Sequence, residues 1–208
     1  MASIIGKKIG MSGIFTDEGI YIPCTLVEAG PCMVLQVRTE ETDGYTALQL
    51  GYGTRREAVS NRPMLGHLER AGADVPAVIR EFRTDGPSDH SAGDVISVGD
   101  VLKAGDRVNV SANSKGKGFQ GVVKRYNFAG VGGRTHGQHN RERAPGSIGQ
   151  SSTPSRVFKG TRMGGRTGGK RTTVRGLQVV EVLPEENVVV LKGSIPGAIN
   201  SIVEINKD

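Results

Sequence analysis

The segment from Asn113 to Gly176 most restricts what this 208-residue chain can become. Only 13 of its 64 residues are apolar, against 62 of the other 144, so it holds too little apolar surface to form a core of its own. Charge divides the same way. The segment carries 14 Lys or Arg and one acid, Glu142, while the remainder carries 13 basic and 20 acidic groups, so a net +13 stands against −7. Ordering a backbone costs about 1–2 kcal/mol per residue, and a segment without a core must find the compensating contacts elsewhere. In "GGRTHGQHNRERAPGSIGQ", Gly132 to Gln150, the only aliphatic side chains are Ala144 and Ile148. The chain therefore reads as a slightly acidic globular body interrupted by a strongly basic insert.

The body reads as mainly β. "YIPCTLVEAG", "CMVLQVRTE" and "GYTALQLGYG" are short β-rich runs set off by Gly30-Pro31 and Asp43-Gly44, so residues 4 to about 52 are expected as strands. "NRPMLGHLERAG" offers Asn61 as a helix cap, Pro63 in the first turn and Gly72 as a stop, and "AVIREFRT" follows as a strand. "DVISVGDVLKAGDRVNVSANSKG" is expected to return to short strands. "LQVVEVLPEENVVVLKG" predicts a hairpin with the four-residue loop Pro184–Asn187, and "SIVEIN" a last strand. Many short strands with Gly-rich turns favour a closed or nearly closed barrel over a doubly wound sheet. Cys24 and Cys32 are expected as buried, reduced thiols. No apolar run approaches the ~18–20 residues of a membrane span. The start of the chain has no targeting pattern, so the expectation is a protein that works where it is made.

Within the insert, "GKGFQGVVKRYNF" puts Phe119, Val122, Val123 and Tyr126 at i, i+3, i+4 and i+7, which predicts an amphipathic helix. From Phe128 to Leu177 no pattern remains, and a patternless stretch that long is functional or disordered. Glycine lets a backbone lie close against another surface, and arginine offers a planar fork of donors matched to phosphate. "KGTRMGGRTGGKRTTVRG", Lys159 to Gly176, interleaves the two most densely. RNA is favoured over DNA, because no helix-turn-helix, zinc-finger or basic-zipper pattern is present and folded RNA offers phosphate-lined crevices. An out-and-back excursion with about 22 residues per arm reaches at most roughly 70 Å.

Sharper chemistry is not supported. His136 and His139 have i,i+3 spacing but no cysteine or acidic cluster beside them, so contact with an RNA backbone is expected and no metal. "GVGGRTHG" lacks the Gly-Lys-Ser/Thr ending of a phosphate loop. Ser151, Ser152 and His139 have neither a nucleophile elbow nor an orienting acid, so no catalytic residue is assigned and no cofactor or small-molecule substrate is expected. His67 and His90 read as surface residues. Phe158, beside Lys159, reads equally as a packing residue or a base-stacking one.

These residues also resemble a known family. "LKAGDRVNVSANSKGKGFQGVVKR", Leu102 to Arg125, is similar to the signature of the large-subunit ribosomal protein three (L-three) family, with Leu102, Asn109, Ala112, Ser114, Gly116, Lys117, Gly118, Gly121 and Arg125 at the family spacing. "IIGKKIGMSGIFTDEGIYIPCTLVEAG", "HGQHNRERAPGSIGQSSTPSRVFKGTRMGGRTGGKRTTVRGLQVVEV" and "LKGSIPGAINSIVEI" extend the likeness over essentially the whole chain, in its bacterial form. The resemblance implies a mainly β fold: a six-stranded translation-type β-barrel with a small α+β insertion and a long irregular basic extension. It implies direct binding of 23S rRNA, early nucleation of subunit assembly, and an arm directed toward the peptidyl transferase centre. Neighbours of the L-fourteen and L-nineteen families, and a place in the cytoplasmic ribosome, come with it. By motif position the arm's tip comprises Ser147, Ile148, Gly149, Gln150, Ser151, Ser152, Thr153 and Pro154, and Gln150 stands where some bacterial members carry N5-methylglutamine.

The expected organisation is a first barrel part at 1–53, the insertion at 54–90, barrel continuation and basic helix at 91–125, the rRNA-penetrating loop at 126–175 and the last barrel part at 176–208. Lys115, Lys117, Lys124, Arg125, Arg134, His136, His139, Arg141, Arg143, Arg156, Lys159, Arg162, Arg166, Lys170, Arg171 and Arg175 are the expected rRNA contacts. The rival readings are a free RNA chaperone with a disordered Gly/Arg segment and an enzyme built on the barrel.

Overall fold

Alternating apolar and polar side chains set the strands. The computed structural model describes residues 3–207 apart from 17, 85, 87, 88, 134 and 135. Its elements run β1 (Ser3–Phe15), β2 (Tyr21–Ala29), β3 (Cys32–Arg38), α1 (Glu40–Asp43), β4 (Ala47–Tyr52), α2 (Arg62–Glu69), β5 (Val78–Arg83), β6 (Val95–Ile96), α3 (Val98–Val101), β7 (Arg107–Asn113), β8 (Phe119–Gln120), α4 (Val122–Tyr126), β9 (Gly165–Arg166), β10 (Arg171–Leu183), β11 (Val188–Lys192) and β12 (Ile202–Lys207). Two compact units result: Met1–Ser114 with Arg171–Asp208, and Lys115–Lys170.

In the first unit six antiparallel strands close into a barrel in the order β1-β12-β7-β10-β11-β2, the mainly β architecture expected. Val203 and Ile205 of β12 are fully buried, with the half-buried Glu204 between them, and they face Ala112 and Val110 of β7. Val27, Val108, Val179, Val189 and Leu191 belong to the same core. Each such side chain contributes about 1.5–3 kcal/mol on burial. Ile4 and Ile5 are neighbours on β1 yet both are fully buried, so that strand is covered on both faces. Cys24 and Cys32 are buried and unbridged, and burial lifts the Cys32 thiol to about 11.

A second antiparallel sheet has the order β5-β4-β3-β6. Its Val34, Leu50, Phe82 and Ile96 share the barrel's core cluster, while Leu35 packs instead with Leu68 of α2 and Ala71. The small sheet thus draws β3 and β4 from before residue 53 and β5 from the expected insertion. On its polar face Glu81 accepts hydrogen bonds from Arg38 Nε (3.0 Å), Gln49 Nε2 (3.0 Å) and the Tyr45 hydroxyl (2.9 Å).

Between β6 and β7, where short strands are expected, the chain makes the single helical turn α3. Ser97 and Asp100 cap each other there, the Ser97 N–H donating to Asp100 Oδ2 at 3.0 Å. A Ser-x-x-acid spacing is a helix-start signal that outweighs the β-branched residues around it. The predicted hairpin is present, with Asn187 left-handed at φ 54° at the end of its loop. Lys8, 7% exposed, donates from Nζ to the carbonyls of Ile195 (3.0 Å) and Gly197 (3.4 Å), which fastens the loop before β12 to the barrel wall.

Candidate nucleic-acid interface

The unit Lys115–Lys170 is organised by its backbone. Phe119 pairs with Arg166 and Gln120 with Gly165. Below that ladder Lys117 N–H donates to Thr167 O and Thr167 N–H to Gly118 O, both at 2.9 Å. Gly168 sits at φ +70°, and a Cβ there would lie 2.1 Å from the Lys115 carbonyl oxygen, so only glycine lets the outgoing and returning chains come this close. Farther out the same requirement recurs. Gly130 has φ +81°, a Cβ on it would lie 2.1 Å from Glu142 O, and the Val131 N–H donates to that oxygen at 3.2 Å.

The predicted amphipathic helix is only partly realised. α4 covers Val122–Tyr126 and ends at the left-handed Asn127, whereas Phe119 lies on β8 with 78% of its surface exposed. Gly118 at φ +68° and the extended Gly121 break the helical path, and pairing with β9 takes the residues that the i,i+3 pattern assigned to a first turn. The stretch expected to lack any regular element likewise contains β9 and the first residues of β10. Among the described residues of this unit, Val122 is the one that is buried, so the unit has no core beyond a single side chain.

Its surface is cationic throughout. Lys115–Lys170 holds 12 Lys or Arg against Glu142 alone. Lys115, Lys117, Lys124, His136, His139, Arg141, Arg143, Arg156, Lys159, Arg162, Arg166 and Lys170 are all exposed. Arg134 lies outside the described residues. Arg125 differs from the rest: it is half-buried, its Nη1 donates to Met163 O at 2.8 Å, and its guanidinium lies 5.0 Å from the Tyr126 ring centroid. That side chain ties α4 to the returning strand. Arg162 approaches the same ring at 5.6 Å, and Arg156 lies over Phe158 at 5.5 Å, so the 59%-exposed Phe158 is a surface ring backed by a cation. In the stretch expected as the arm's tip, Ser147–Ser152 are exposed, Gln150 among them, and Ser147 Oγ donates to Gly149 O at 2.9 Å.

Arg171 and Arg175 belong to the first unit, on the exposed start of β10. Arg171 pairs with Glu204, whose other oxygen accepts from Arg80 Nε at 2.8 Å. One carboxylate thus holds two guanidiniums at the edge of a cleft lined also by Asn113 and Ser201. Nothing in the sequence signals this triad, since Arg80 and Glu204 are 124 residues apart. Among the described residues no group of three His, Cys, Asp or Glu is placed to hold a metal ion.

The family model Ribosomal protein L3 matches residues 87–187, which contain the whole basic unit and the two barrel strands that flank it. The large ribosomal subunit protein uL3 of Salinibacter ruber is 50% identical over 206 residues, 99% of each chain. That of Chlorobium phaeobacteroides is 53% identical over 206 residues, 99% of this chain and 98% of the relative. The chain belongs to the ribosomal protein L3 family. As a member of the L3 family it joins a closed barrel that carries its own core to a cationic unit that carries almost none.

Proposed function

We propose that this chain is a non-enzymatic structural constituent of the large subunit of the cytoplasmic ribosome, binding 23S rRNA directly through Lys115–Lys170. The observation that carries the reading is 12 cations against one acid in a unit whose only buried described side chain is Val122. A folded segment of this kind, held by backbone ladders and glycine contacts, gains most from a polyanion that supplies the missing contacts. The exposed lysines, arginines, His136 and His139 bind phosphate. Arg125 instead keeps α4 in place, and Arg171 is presented by Glu204. The tip from Ser147 to Pro154 approaches the peptidyl transferase centre, where the RNA performs the chemistry. The exposure of Gln150 suits it to N5-methylation. Binding precedes that of most partners and nucleates subunit assembly, with neighbours of the L-fourteen and L-nineteen families.

Sedimentation through high salt tests this reading. A constituent of the particle stays with large subunits through the wash. A free chaperone is released, with a salt slope of about 0.7–0.9 per phosphate contact. Release at moderate salt, or a turnover by the purified chain that is lost in His136→Ala/His139→Ala, would overturn the assignment.

A further inference from the structure

The first hairpin leaves the barrel. β1 pairs with β12 only over Ser3–Lys7, and β2 pairs with β11 only over Cys24–Glu28, whereas the two strands pair with each other as far as Phe15↔Tyr21. Beyond Ser12 and Pro23, therefore, a two-stranded ribbon has both outer edges unpaired among the described residues. Cross-strand partners share a face, so Met11, Gly13 and Phe15 lie opposite Thr25, Pro23 and Tyr21. That face is apolar and open: Met11 is 55% exposed, Phe15 69% and Tyr21 57%, with Ile20 at 56% beside them. It is also organised. The Phe15 and Tyr21 rings are 5.3 Å apart, and a Cβ on Gly13 would lie 2.1 Å from the Tyr21 ring, which shows the ring lying flat over the glycine.

The charge around this face selects what covers it. From Ile9 to Val37 there are 29 residues without a lysine or arginine, the longest such run in the chain, and between Phe15 and Tyr21 the sequence carries the acids Asp17 and Glu18. Aromatic rings can stack on bases, but single-stranded nucleic acid is held where cations also track its backbone, and here the charges repel it. Exposed apolar area on a ribbon whose sequence carries acids and no cations suits a protein partner with an apolar contact and basic surroundings. We infer that the β1–β2 ribbon is a protein-docking surface, covered in the large subunit by a second, basic ribosomal protein that packs on Phe15, Tyr21 and Met11. The inference rests on the ribosomal reading above.

Photocrosslinking tests it. The full chain with Phe15→p-benzoylphenylalanine is incorporated into large subunits, irradiated, and the adducts sorted by nuclease and protease digestion. The expected product is an adduct to one basic protein. An adduct to RNA, to a second copy of this chain, or no adduct in particles that hold the chain overturns the inference. Failure of the chain to enter the particle overturns the ribosomal reading instead. In parallel, Phe15→Asp/Tyr21→Asp, at exposed positions, is expected to fold and to bind naked 23S rRNA as the parent does, yet to be lost from subunits about fivefold more readily in a salt wash, as expected for a central aromatic anchor. Equal retention of the folded variant also overturns the inference. If that variant fails to fold, the crosslink alone decides.

Discussion

The barrel and the basic unit solve the same problem by opposite means. In the barrel, side chains such as Val110, Val203 and Ile205 are fully buried and the strand ladders carry them inward. From Lys115 to Lys170 the backbone is also laddered and cross-bonded, but Val122 alone among the described residues is buried. Hydrogen bonds thus give each region a shape, while only the barrel has apolar burial to make that shape stable without help. Order in a chain and independent stability are separable, and the glycines at 130 and 168 show how a path is specified where no core can specify it.

The contrast is broken most readily by proteolysis. Trypsin acting on the free chain is expected to cut between residues 130 and 170 at least about tenfold faster than in the barrel, because local opening there costs little. Equal resistance of both regions, read by mass spectrometry of the fragments, would erase the distinction. Arg141→Gln/Arg143→Gln/Arg156→Gln/Arg162→Gln sharpens it. Loss of four phosphate contacts lowers the salt slope by about 3, and so lowers rRNA affinity roughly 10³-fold at 0.1 M salt, with the urea midpoint unmoved. Filter binding across a salt series reads the first and circular dichroism the second.

Ile205→Ala reverses the pattern. It removes a fully buried barrel side chain and is expected to cost about 2–5 kcal/mol of stability, read by urea denaturation, while the folded fraction binds rRNA as before. Val122→Ala, a truncation of the same kind in the basic unit, is expected to leave the barrel's midpoint within about 0.5 kcal/mol. The smallest effect concerns acid. A hydrogen bond from Lys207 holds the Asp106 carboxyl below its ordinary value, and hydrogen bonds from Thr42 and Arg38 do the same for Asp43. A carboxyl depressed in the folded state stabilises fully above its unfolded value of about 3.9 and loses that contribution as pH falls through the folded value. The thermal midpoint of the barrel unit is therefore expected to be flat above about pH 4.5 with respect to these groups and to drop below about pH 4, a drop that Asp106→Asn lessens.

Much of this was legible in the chain. Alternation on "SIVEIN" and "DRVNV" marks barrel staves, "PEEN" marks a hairpin, and the cation count marks off the core-poor unit. What was not legible depended on distant partners. β3 and β4 read as barrel strands because period-two alternation does not say which sheet a strand joins, and β4 finds β5 only across the helical excursion. Phe119 fits a helical face by spacing, but glycines on either side and a partner strand 46 residues on decide otherwise. Arg125 and Arg171 look like the other cations in sequence, and the partners they have within the protein, the Met163 carbonyl and the Glu204 carboxylate, are met only in space.

The pairing of β1 with β12 also sets an order of events during synthesis. β1 waits for β12 before the cylinder can shut, since Ser3 lies opposite Asn206 and Lys7 opposite Ile202. At about 5–20 residues per second, Ile205 follows Lys170 by about 2–7 s, an interval in which the cationic hairpin has been translated and the cylinder is still open. A nascent chain of this design can meet a nucleic acid before its own seam is sealed.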